Sequence, residues 1–487
     1  MIEYTIIRSI VLAVYMHLAD PDILNLVLNT STAQYTEVRY HARTLNEIRI
    51  VDGRVERARS VTKSGVGIRV LKYGRWGFSS TSIITRDELI RALEQAIKSA
   101  SAKSYGSDTN TVKGLAEARL ARGLFMPEIN GKLEDHSIEE KVRIAREAEK
   151  EARKGSKSKD VRSALCTYKE MIDAKVIVSS DGASVELYDS KPEFVVNAIA
   201  GKGSIKVSAS EGVCVTGGWN DLFKDKDHLA IAREAAEKAT RLLNAKQPRG
   251  ERTTIILDPA MVGLLAHEAI GHVVEADFVL SGSIARDLLG KKVASELVTL
   301  VDSGASNIVP NAAGTVFVDD EGVMTRSVRI IDKGIMSSYL HNRESAYIFG
   351  VEPTGNARAF EYNDEPLIRM RNTYIEPGDY MLDEMIKEVK HGYMLKGARN
   401  GQADANGEFM FGAEEAYLIE HGEVKELFRG VSISGITIDV LKSIDAISSS
   451  KDFKYDIGTG YCGKYQPMKV DGGGSYVRCN AIVGGVQ

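Results

Sequence analysis

The sequence predicts an α+β protein with two domains, residues 1–250 and 251–487. Alternating apolar and polar residues, which are typical of strands, fill much of the N-terminal half and lead into amphipathic helices. This order of strands and then a helix occurs twice, which indicates that the first domain contains duplicated antiparallel sheet-plus-helix units. The C-terminal half mixes short strand-like runs with one strongly apolar helix, so a separate domain with a mixed sheet is expected there.

The first unit is predicted to contain five strands and a helix. Residues 52–53 have the composition of a hairpin turn, and Thr85 and Glu88 have the spacing of a capping box at the start of helix 86–103. Residues 104–136 are expected to form a linker. The strands are expected at 35–43, 46–51, 54–61, 66–73 and 76–82.

The second unit repeats this order. A polar helix at 137–154 comes first, a turn at 181–182 separates the middle strands, and a helix at 227–244 ends the unit. Trp76 and Trp219 come late in the two predicted sheets, and both are expected to anchor the core. The strands are expected at 161–169, 171–179, 183–189, 192–199 and 205–216.

The second domain is predicted to begin with a strand at 253–258 that leads directly into the apolar helix. The tail at 456–474 is rich in glycine and is not expected to be regular. It lacks the lysine-serine/threonine helix start of a phosphate-binding loop, so a nucleotide site is excluded. The remaining elements are expected as strands at 297–302, 366–373, 407–412 and 415–426, hairpins over 315–340, and helices near 284–290 and at 379–390.

Composition and charge exclude several functions. A net charge of -4 and an isoelectric point near 6.2 give no basic surface for nucleic acid. No stretch has the length of a membrane span, and the apolar start at 1–19 is expected to be a helix packed on the body or a leader before a start at Met16. Four cysteines without a Cys-x-x-Cys pair do not form a disulfide framework, and Cys166, Cys214 and Cys479 are expected in the core. A cytoplasmic location is expected.

The apolar helix carries two histidines on either side of a glutamate. Asp258 and the proline after it are typical of a helix start, and His267, Glu268 and His272 follow among apolar residues. Neutral imidazoles bind zinc, and a neighbouring carboxylate can take the proton of the bound water. On a regular helix these histidines would diverge by about 140°. They can share one ion only if the helix gains a residue, as in a π-bulge, or breaks near Gly271. The alternative is two unrelated buried histidines.

A catalytic zinc ion also needs a third protein ligand and an open position. Glu268 would lose its role as a base if it bound the ion, and Glu275 can equally be a surface group. His341 and His391 lie near turns without partners at an informative spacing. Cys462, within the glycine-rich tail, is the favoured ligand, and an inert buried thiol is the alternative.

These residues resemble a known motif. The segment from His267 to His272, with Glu275 and Asp277 after it, is similar to the metal motif of the TldD/PmbA metalloprotease family. The similarity covers nearly everything from residue 20 onwards, and the long apolar start is a departure from the family pattern. Further stretches match that pattern in order: Asp319–Gly322, Pro353–Arg358, Arg369–Thr373, Pro377–Gly378, Gly407–Phe411 and Tyr461–Lys464.

The resemblance implies a zinc peptidase of the metal-bearing, TldD-like type. It implies that His267, His272 and Cys462 bind one zinc ion per active site and that Glu268 is the general base. It also implies that the N-terminal domain gathers substrate and takes part in dimerisation.

Other groups near the site are expected to assist catalysis. Glu275 or Asp277 would orient the histidines. Tyr461, Lys464 or Arg358 would stabilise the developing oxyanion.

The expected substrates are unfolded or flexible peptides, which an exposed strand edge could bind through their backbone. The resemblance implies a homodimer or a heterodimer with a metal-free PmbA/TldE-like subunit, and no nucleic-acid or membrane partner is expected. Two alternatives stay open. One is a non-catalytic binding or scaffold protein, since family members were once described as modulators of DNA gyrase; the other is a zinc amidohydrolase that acts on a non-peptide amide.

Overall fold

The computed structural model describes residues 20–102, 111–154, 160–404 and 407–485. The expectation for residues 1–19 lies outside the described residues. The chain contains both helices and strands, and the strands form several sheets, so the α+β class is confirmed. Within the described ranges, no helix is both long enough and apolar enough to cross a bilayer.

One seven-stranded sheet dominates the N-terminal half. One of its edge strands, Arg122–Phe125, pairs parallel with its neighbour and lies inside the predicted linker 104–136, so the linker prediction was wrong at this point. A strand of four residues is too short to show an alternating pattern. Across the sheet the order is Arg75–Thr81, Arg54–Lys72, Tyr35–Val51, Val161–Ser179, Ser184–Lys202 and Arg122–Phe125, with Ile205–Cys214 also paired to Ser184–Lys202.

The two units of the predicted duplication meet in the middle of this sheet. Tyr35–Val51, the first strand of one unit, pairs antiparallel with Val161–Ser179, the first strand of the other. In each unit the strands are followed by a helix, Arg86–Ser101 in the first and His228–Leu243 in the second. The two predicted sheets are therefore halves of one continuous sheet.

Four long strands were each predicted as two shorter ones. The breaks expected near 44–45, 62–65, 170 and 190–191 do not exist. Pro192 lies next to the last of these breaks, inside the observed strand, and its carbonyl accepts a hydrogen bond from Val215, just beyond the end of the neighbouring strand at Cys214. The missing N–H of this proline therefore lies where the ladder already stops, and the strand continues through it.

The helices cover one face of this sheet. Pro21–Thr30 and Arg86–Ser101 bury their apolar residues against one half, and Ile138–Lys154 and His228–Leu243 bury theirs against the other. Trp219 starts a short helix and lies in the core, as predicted, whereas Trp76 is only half-buried.

The opposite face carries charged side chains and packs on the C-terminal half. A nitrogen of Arg69 lies 2.6 Å from an oxygen of Glu321, and Lys175 Nζ lies 2.7 Å from an oxygen of Asp320. These side chains are largely buried. Buried ion pairs require accurate geometry, so they fix how the C-terminal half is seated on the N-terminal sheet.

The main sheet of the C-terminal half closes on itself. Glu251–Leu257 pairs with His391–Ala403 on one side and with Val477–Gly485 on the other. Val431–Ile436 and Glu408–Glu420 complete the ring back to His391–Ala403. Two further strands pair at its margin: Glu423–Phe428 and Ala446–Ile447.

A second sheet and several short elements surround this ring. The second sheet has the order Ile335–Met336, Val328–Asp332, Leu300–Ser303, Asn372–Ile375, Asp471–Gly474 and Lys454–Tyr455. Two small pairs are Ala357–Arg358 with Leu367–Ile368, and Tyr461–Cys462 with Met468–Lys469. Helical segments are Pro259–Leu264, Leu265–Gly271, Ala276–Leu280, Arg343–Phe349, Leu382–Lys387 and Thr437–Lys442, with short 3₁₀ turns at Leu133–Asp135, Ile284–Asp287 and Ser450–Asp452.

The C-terminal predictions were less accurate than the N-terminal ones. The helix expected near 284–290 is only the 3₁₀ turn Ile284–Asp287, and no strand occurs at 315–322. The strands His391–Ala403 and Val431–Ile436 were not predicted. Partners distant in sequence hold these elements in place, so local patterns are weak.

Candidate metal centre

The two histidines lie on a helix that changes its hydrogen-bonding pattern between them. Asp258 caps its start by accepting a hydrogen bond from Met261 N at 2.9 Å. Leu265–Gly271 then forms a π-helix, in which His272 N donates to the carbonyl of His267 at 3.3 Å. A π-turn places residues five positions apart on the same side, and the two imidazole centroids lie 5.0 Å apart. Of the two predicted possibilities, the helix therefore gains a residue between the histidines and does not break.

Gly271 permits close packing at the end of this π-helix. A Cβ at this position would lie 1.9 Å from the sulfur of Met370. The backbone φ of Gly271 is not positive, so this glycine is not needed for an unusual backbone conformation. It is needed because a side chain at this position would clash with Met370.

Cys462 reaches the histidines from the other end of the domain. It lies in the short hairpin formed by Tyr461–Cys462 and Met468–Lys469. Its Sγ is 3.4 Å from Nε2 of His272, and one ligand atom from each of His267, His272 and Cys462 lies within 4.8 Å of the other two. The three predicted metal ligands are therefore brought together.

The chemistry of this donor set fits a zinc ion. Two imidazoles and one thiolate are ligands that zinc prefers, and three protein ligands leave one position open. His267 is buried, and its Nδ1 has no hydrogen-bond partner among the described residues, which suits a ring that binds a cation. His341 and His391 are not part of the cluster, because they contact Ser345 and Glu251 instead.

The electrostatics of the cluster favour a thiolate. Burial alone would raise the pKa of the Cys462 thiol, but interactions with His267 and His272 lower it to about 3. Burial would lower the pKa of His272, but Cys462 and Glu275 raise it to about 10. These shifts favour a Cys462 thiolate next to a His272 imidazolium, which carries the proton. A metal cation can take the place of that proton, since thiolate and neutral imidazole are the forms that bind metal.

Glu268 lies next to these ligands with a free carboxylate. Its side chain is half-buried and makes no hydrogen bond or ion pair with any described residue. The strand His391–Ala403 passes close to it at Gly401, where a Cβ would lie 2.9 Å from Cγ of Glu268 and 2.8 Å from Cδ1 of Leu264. A glycine therefore leaves room for the Glu268 side chain.

Behind His272 lies a buried chain of charged groups. His272 Nδ1 donates to Oε2 of Glu275 at 2.9 Å, which leaves Nε2 directed towards Cys462. Lys464 Nζ lies 3.1 Å from the same Glu275 oxygen and 2.6 Å from Oδ2 of Asp277. Glu275 is thus placed to orient a histidine, whereas Asp277 contacts Lys464 rather than either imidazole.

The residues expected to stabilise an oxyanion have other contacts. Arg358 is buried and donates to the carbonyls of Met370 at 2.6 Å and Lys469 at 2.9 Å. Lys464 is engaged by two carboxylates and a carbonyl. The Tyr461 ring lies 4.1 Å from Lys469 Nζ, on the side of the N-terminal sheet. Arg358 and Lys464 thus each have other partners, and the residue that stabilises the oxyanion stays a prediction.

Sequence reasoning missed the support of the thiolate loop. Arg369 is fully buried and donates to the carbonyls of Cys462, Lys464 and Gln466. Its position in a strand-like stretch with Arg371 suggests an exposed polar face. The only available hint was two arginines in a mainly apolar segment.

Two imidazoles and a thiolate beside an unpaired carboxylate, set against a closed sheet, are the features of a metallopeptidase-like hydrolase. Family comparison agrees with this class. Models described as PmbA/TldA metallopeptidase domain 1, central domain and C-terminal domain match residues 36–100, 131–243 and 250–474.

Curated relatives cover nearly the whole chain. A metalloprotease of Methanocaldococcus jannaschii is 35% identical over 92% of this chain and 96% of its own length. A zinc metalloprotease TldD homolog of Saccharolobus solfataricus is 31% identical over 93% of this chain and 97% of its own length. The chain therefore belongs to the PmbA/TldD family of metallopeptidases.

Solved structures share this fold. A putative modulator of DNA gyrase from Thermotoga maritima superposes with a TM-score of 0.76 at 24% identity, covering 95% of this chain and 99% of that one. TldE from Thermococcus kodakarensis superposes with a TM-score of 0.75 at 20% identity, covering 96% and 99%. Sequence identities this low support the fold alone.

Proposed function

We propose that this protein is a zinc-dependent peptidase that hydrolyses unfolded or flexible peptides. The observation that carries the proposal is the convergence of His267, His272 and Cys462 on one point, with the unpaired carboxylate of Glu268 on the same π-helix. A relative named as a zinc metalloprotease supports zinc as the metal.

Glu268 is the residue that moves the proton. A bound zinc ion supplies a Lewis acid that acidifies water and polarises a carbonyl. The Glu268 carboxylate accepts the proton of the attacking water molecule and passes it to the departing amine nitrogen. No described residue pairs with this carboxylate, so it is available for both steps, and Glu275 keeps His272 in one orientation.

An open strand edge offers a way to hold the substrate. Residues 398–403 pair with residues 409–413 on one side, and within the described ranges no strand pairs with their other side. Gly401 brings this edge next to Glu268. An extended peptide that added to the edge would be held by its backbone with little sequence preference. Folded proteins should resist cleavage, and their denatured forms should be cut into short pieces.

The proposed function also extends to the roles of the two domains, the partner subunit and the cellular location. We propose that residues 1–250 gather substrate and contribute to dimerisation, while residues 251–487 form the zinc domain. We propose that the chain forms a homodimer or a heterodimer with a metal-free PmbA/TldE-like subunit, as its family membership implies. All four cysteines are free thiols, which suits a reducing cytoplasm.

The decisive variant is Glu268→Gln, which keeps the shape of the side chain but removes the base. We expect zinc to remain stoichiometric by metal analysis and hydrolysis of a denatured protein to fall by about 10²–10⁴-fold. Glu296→Gln, at an exposed glutamate, is the matched control and should keep full activity.

Other outcomes would contradict the proposal. Full hydrolysis by Glu268→Gln would reject the assigned base. A wild-type protein that binds peptides without cutting them would be a scaffold, and one that cuts only non-peptide amides would be an amidohydrolase of another class.

A further inference from the structure

The loop that carries the thiolate contains a strained turn. Tyr465 has a φ of +56°, and Gln466 N donates to the carbonyl of Lys464 at 2.6 Å. This is a three-residue γ-turn with its central residue in the left-handed region, a conformation that costs free energy for any residue with a side chain. The Tyr465 side chain is exposed, so packing in the core does not compensate for this cost.

One buried guanidinium holds this turn. Arg369 has no solvent exposure. Its Nη1 donates to the carbonyls of Lys464 and Gln466, both at 2.7 Å, and its Nη2 donates to the carbonyl of Cys462 at 2.6 Å. The first two carbonyls stand on either side of the strained residue, and the third belongs to the thiolate residue itself.

Arg369 is itself held rigidly. Its N–H donates to the carbonyl of Asn356 at 2.9 Å, and the Asn356 amide returns a hydrogen bond to the Arg369 carbonyl at 2.9 Å. The side chain therefore acts from a fixed base. Hydrogen bonds from a charged donor are stronger than neutral ones, so three of them can maintain a strained turn.

We propose that Arg369 is a positioning residue for the metal centre: by clamping the turn at Tyr465, it fixes the backbone of Cys462 so that its sulfur faces the two imidazoles. This inference rests on the proposed function. Without the clamp, the turn relaxes towards negative φ and the Cys462 carbonyl loses its donor. Sγ then no longer keeps its position 3.4 Å from His272 Nε2. The result is weaker metal binding in a protein that is still folded.

Two variants of the exposed residue test the link without disturbing the core. Tyr465→Gly removes the cost of positive φ, and Tyr465→Val increases it because β-branched residues strongly disfavour that region. We expect Tyr465→Val to bind zinc about tenfold more weakly in a competition assay with a chromophoric chelator. Tyr465→Gly should bind zinc at least as tightly as the wild type. Equal affinities for the two variants would overturn the proposal.

The clamp itself is tested by Arg369→Lys, which keeps the charge but cannot span three carbonyls. We expect a loss of zinc affinity of about 10–100-fold, and a weaker thiolate-to-metal charge-transfer band after substitution with cobalt(II). The double variant Arg369→Lys/Tyr465→Gly should recover part of the zinc affinity and part of the cobalt band. With glycine at position 465, positive φ no longer costs free energy, so the turn can form without the full clamp. Absence of that recovery would mean that Arg369 acts on stability alone.

Arg371→Lys is the matched control. Arg371 is equally buried, but it pairs with Asp302 and makes no side-chain contact with the thiolate loop. This variant should lose thermal stability yet keep the cobalt band. If the cobalt-substituted wild type gave no thiolate-to-metal band, the proposed metal site would be rejected. A wild-type band with no effect of Tyr465→Val or Arg369→Lys would reject only the clamp.

Discussion

The Sγ of Cys462 lies 3.4 Å from Nε2 of His272, although 190 residues separate them in the chain. A second contact joins the two arms behind the ligands, because Lys464 Nζ lies 3.1 Å from the Glu275 oxygen that accepts from His272. The thiolate loop and the π-helix are thus coupled twice. This coupling makes the support of the site open to direct testing.

Lys464→Met should weaken zinc binding while leaving the protein folded. The substitution removes the Lys464 cation from the fully buried Glu275 carboxylate, which would then have only His272 as a partner. Loss of the group that holds a histidine-orienting carboxylate typically lowers metal affinity by about 10–100-fold. Asp277→Asn is the control, because Asp277 is partly exposed and its side chain contacts Lys464 and the N–H of Phe278 but neither Glu275 nor His272. Unchanged affinity of Lys464→Met would show that the chain behind His272 is not needed.

Gly401→Ala should reduce hydrolysis without removing zinc. The added methyl group would lie 2.9 Å from Cγ of Glu268, so the proposed base must move away. We expect a fall in kcat/KM of about tenfold, equivalent to about 1.4 kcal/mol of transition-state stabilisation. Gly484→Ala, whose nearest contact would be an ordinary 3.6 Å, should have no effect. Loss of zinc from Gly401→Ala would instead point to damage to the ligands.

Acid should destabilise the fold through His41. Burial and nearby Lys175 lower the pKa of His41 from 6.5 to about 4, and its Nδ1 has no hydrogen-bond partner among the described residues. The folded protein keeps this ring neutral, whereas the unfolded chain takes up a proton as the pH falls below 6.5. Stability is therefore present above pH 6.5 and is lost as the pH falls towards 4, by about 2 kcal/mol between pH 7 and pH 5.

This effect is measurable as the shift of the urea unfolding midpoint between pH 7 and pH 5. His41→Gln should reduce this shift of the midpoint, and His421→Asn, at an exposed position, should leave it unchanged. An identical shift in the wild type and His41→Gln would assign the acid sensitivity to other groups.

The sequence predicted which residues of the candidate site lie together better than it predicted the length of the strands. The spacing of His267 and His272 required a local change in the helix, and a π-helix is present. Cys462 was favoured from its loop, and the family resemblance strengthened it. Strand breaks were wrongly predicted at charged residues such as Glu170 and Lys191, which are buried inside continuous strands. Their polarity indicates exposure to solvent, whereas the fold buries both among polar partners, Lys141 for Glu170 and Thr216 for Lys191.

The residues that hold the metal ligands in place could not be predicted from sequence patterns for a related reason. Arg369 is a charged residue in a strand-like stretch, and its three acceptors lie more than 90 positions further along the chain. No local periodicity relates such partners. Lys464 was expected near a substrate oxygen, but Glu275 and Asp277 hold it behind His272 instead.

X-ray absorption at the zinc edge of the purified protein identifies the atoms that bind the metal. We expect one zinc ion per chain whose nearest neighbours include one sulfur at about 2.3 Å and nitrogen atoms at about 2.0 Å. The sulfur contribution should disappear in Cys462→Ala and persist in Cys479→Ala. A wild-type spectrum without any sulfur neighbour would contradict the proposed metal centre.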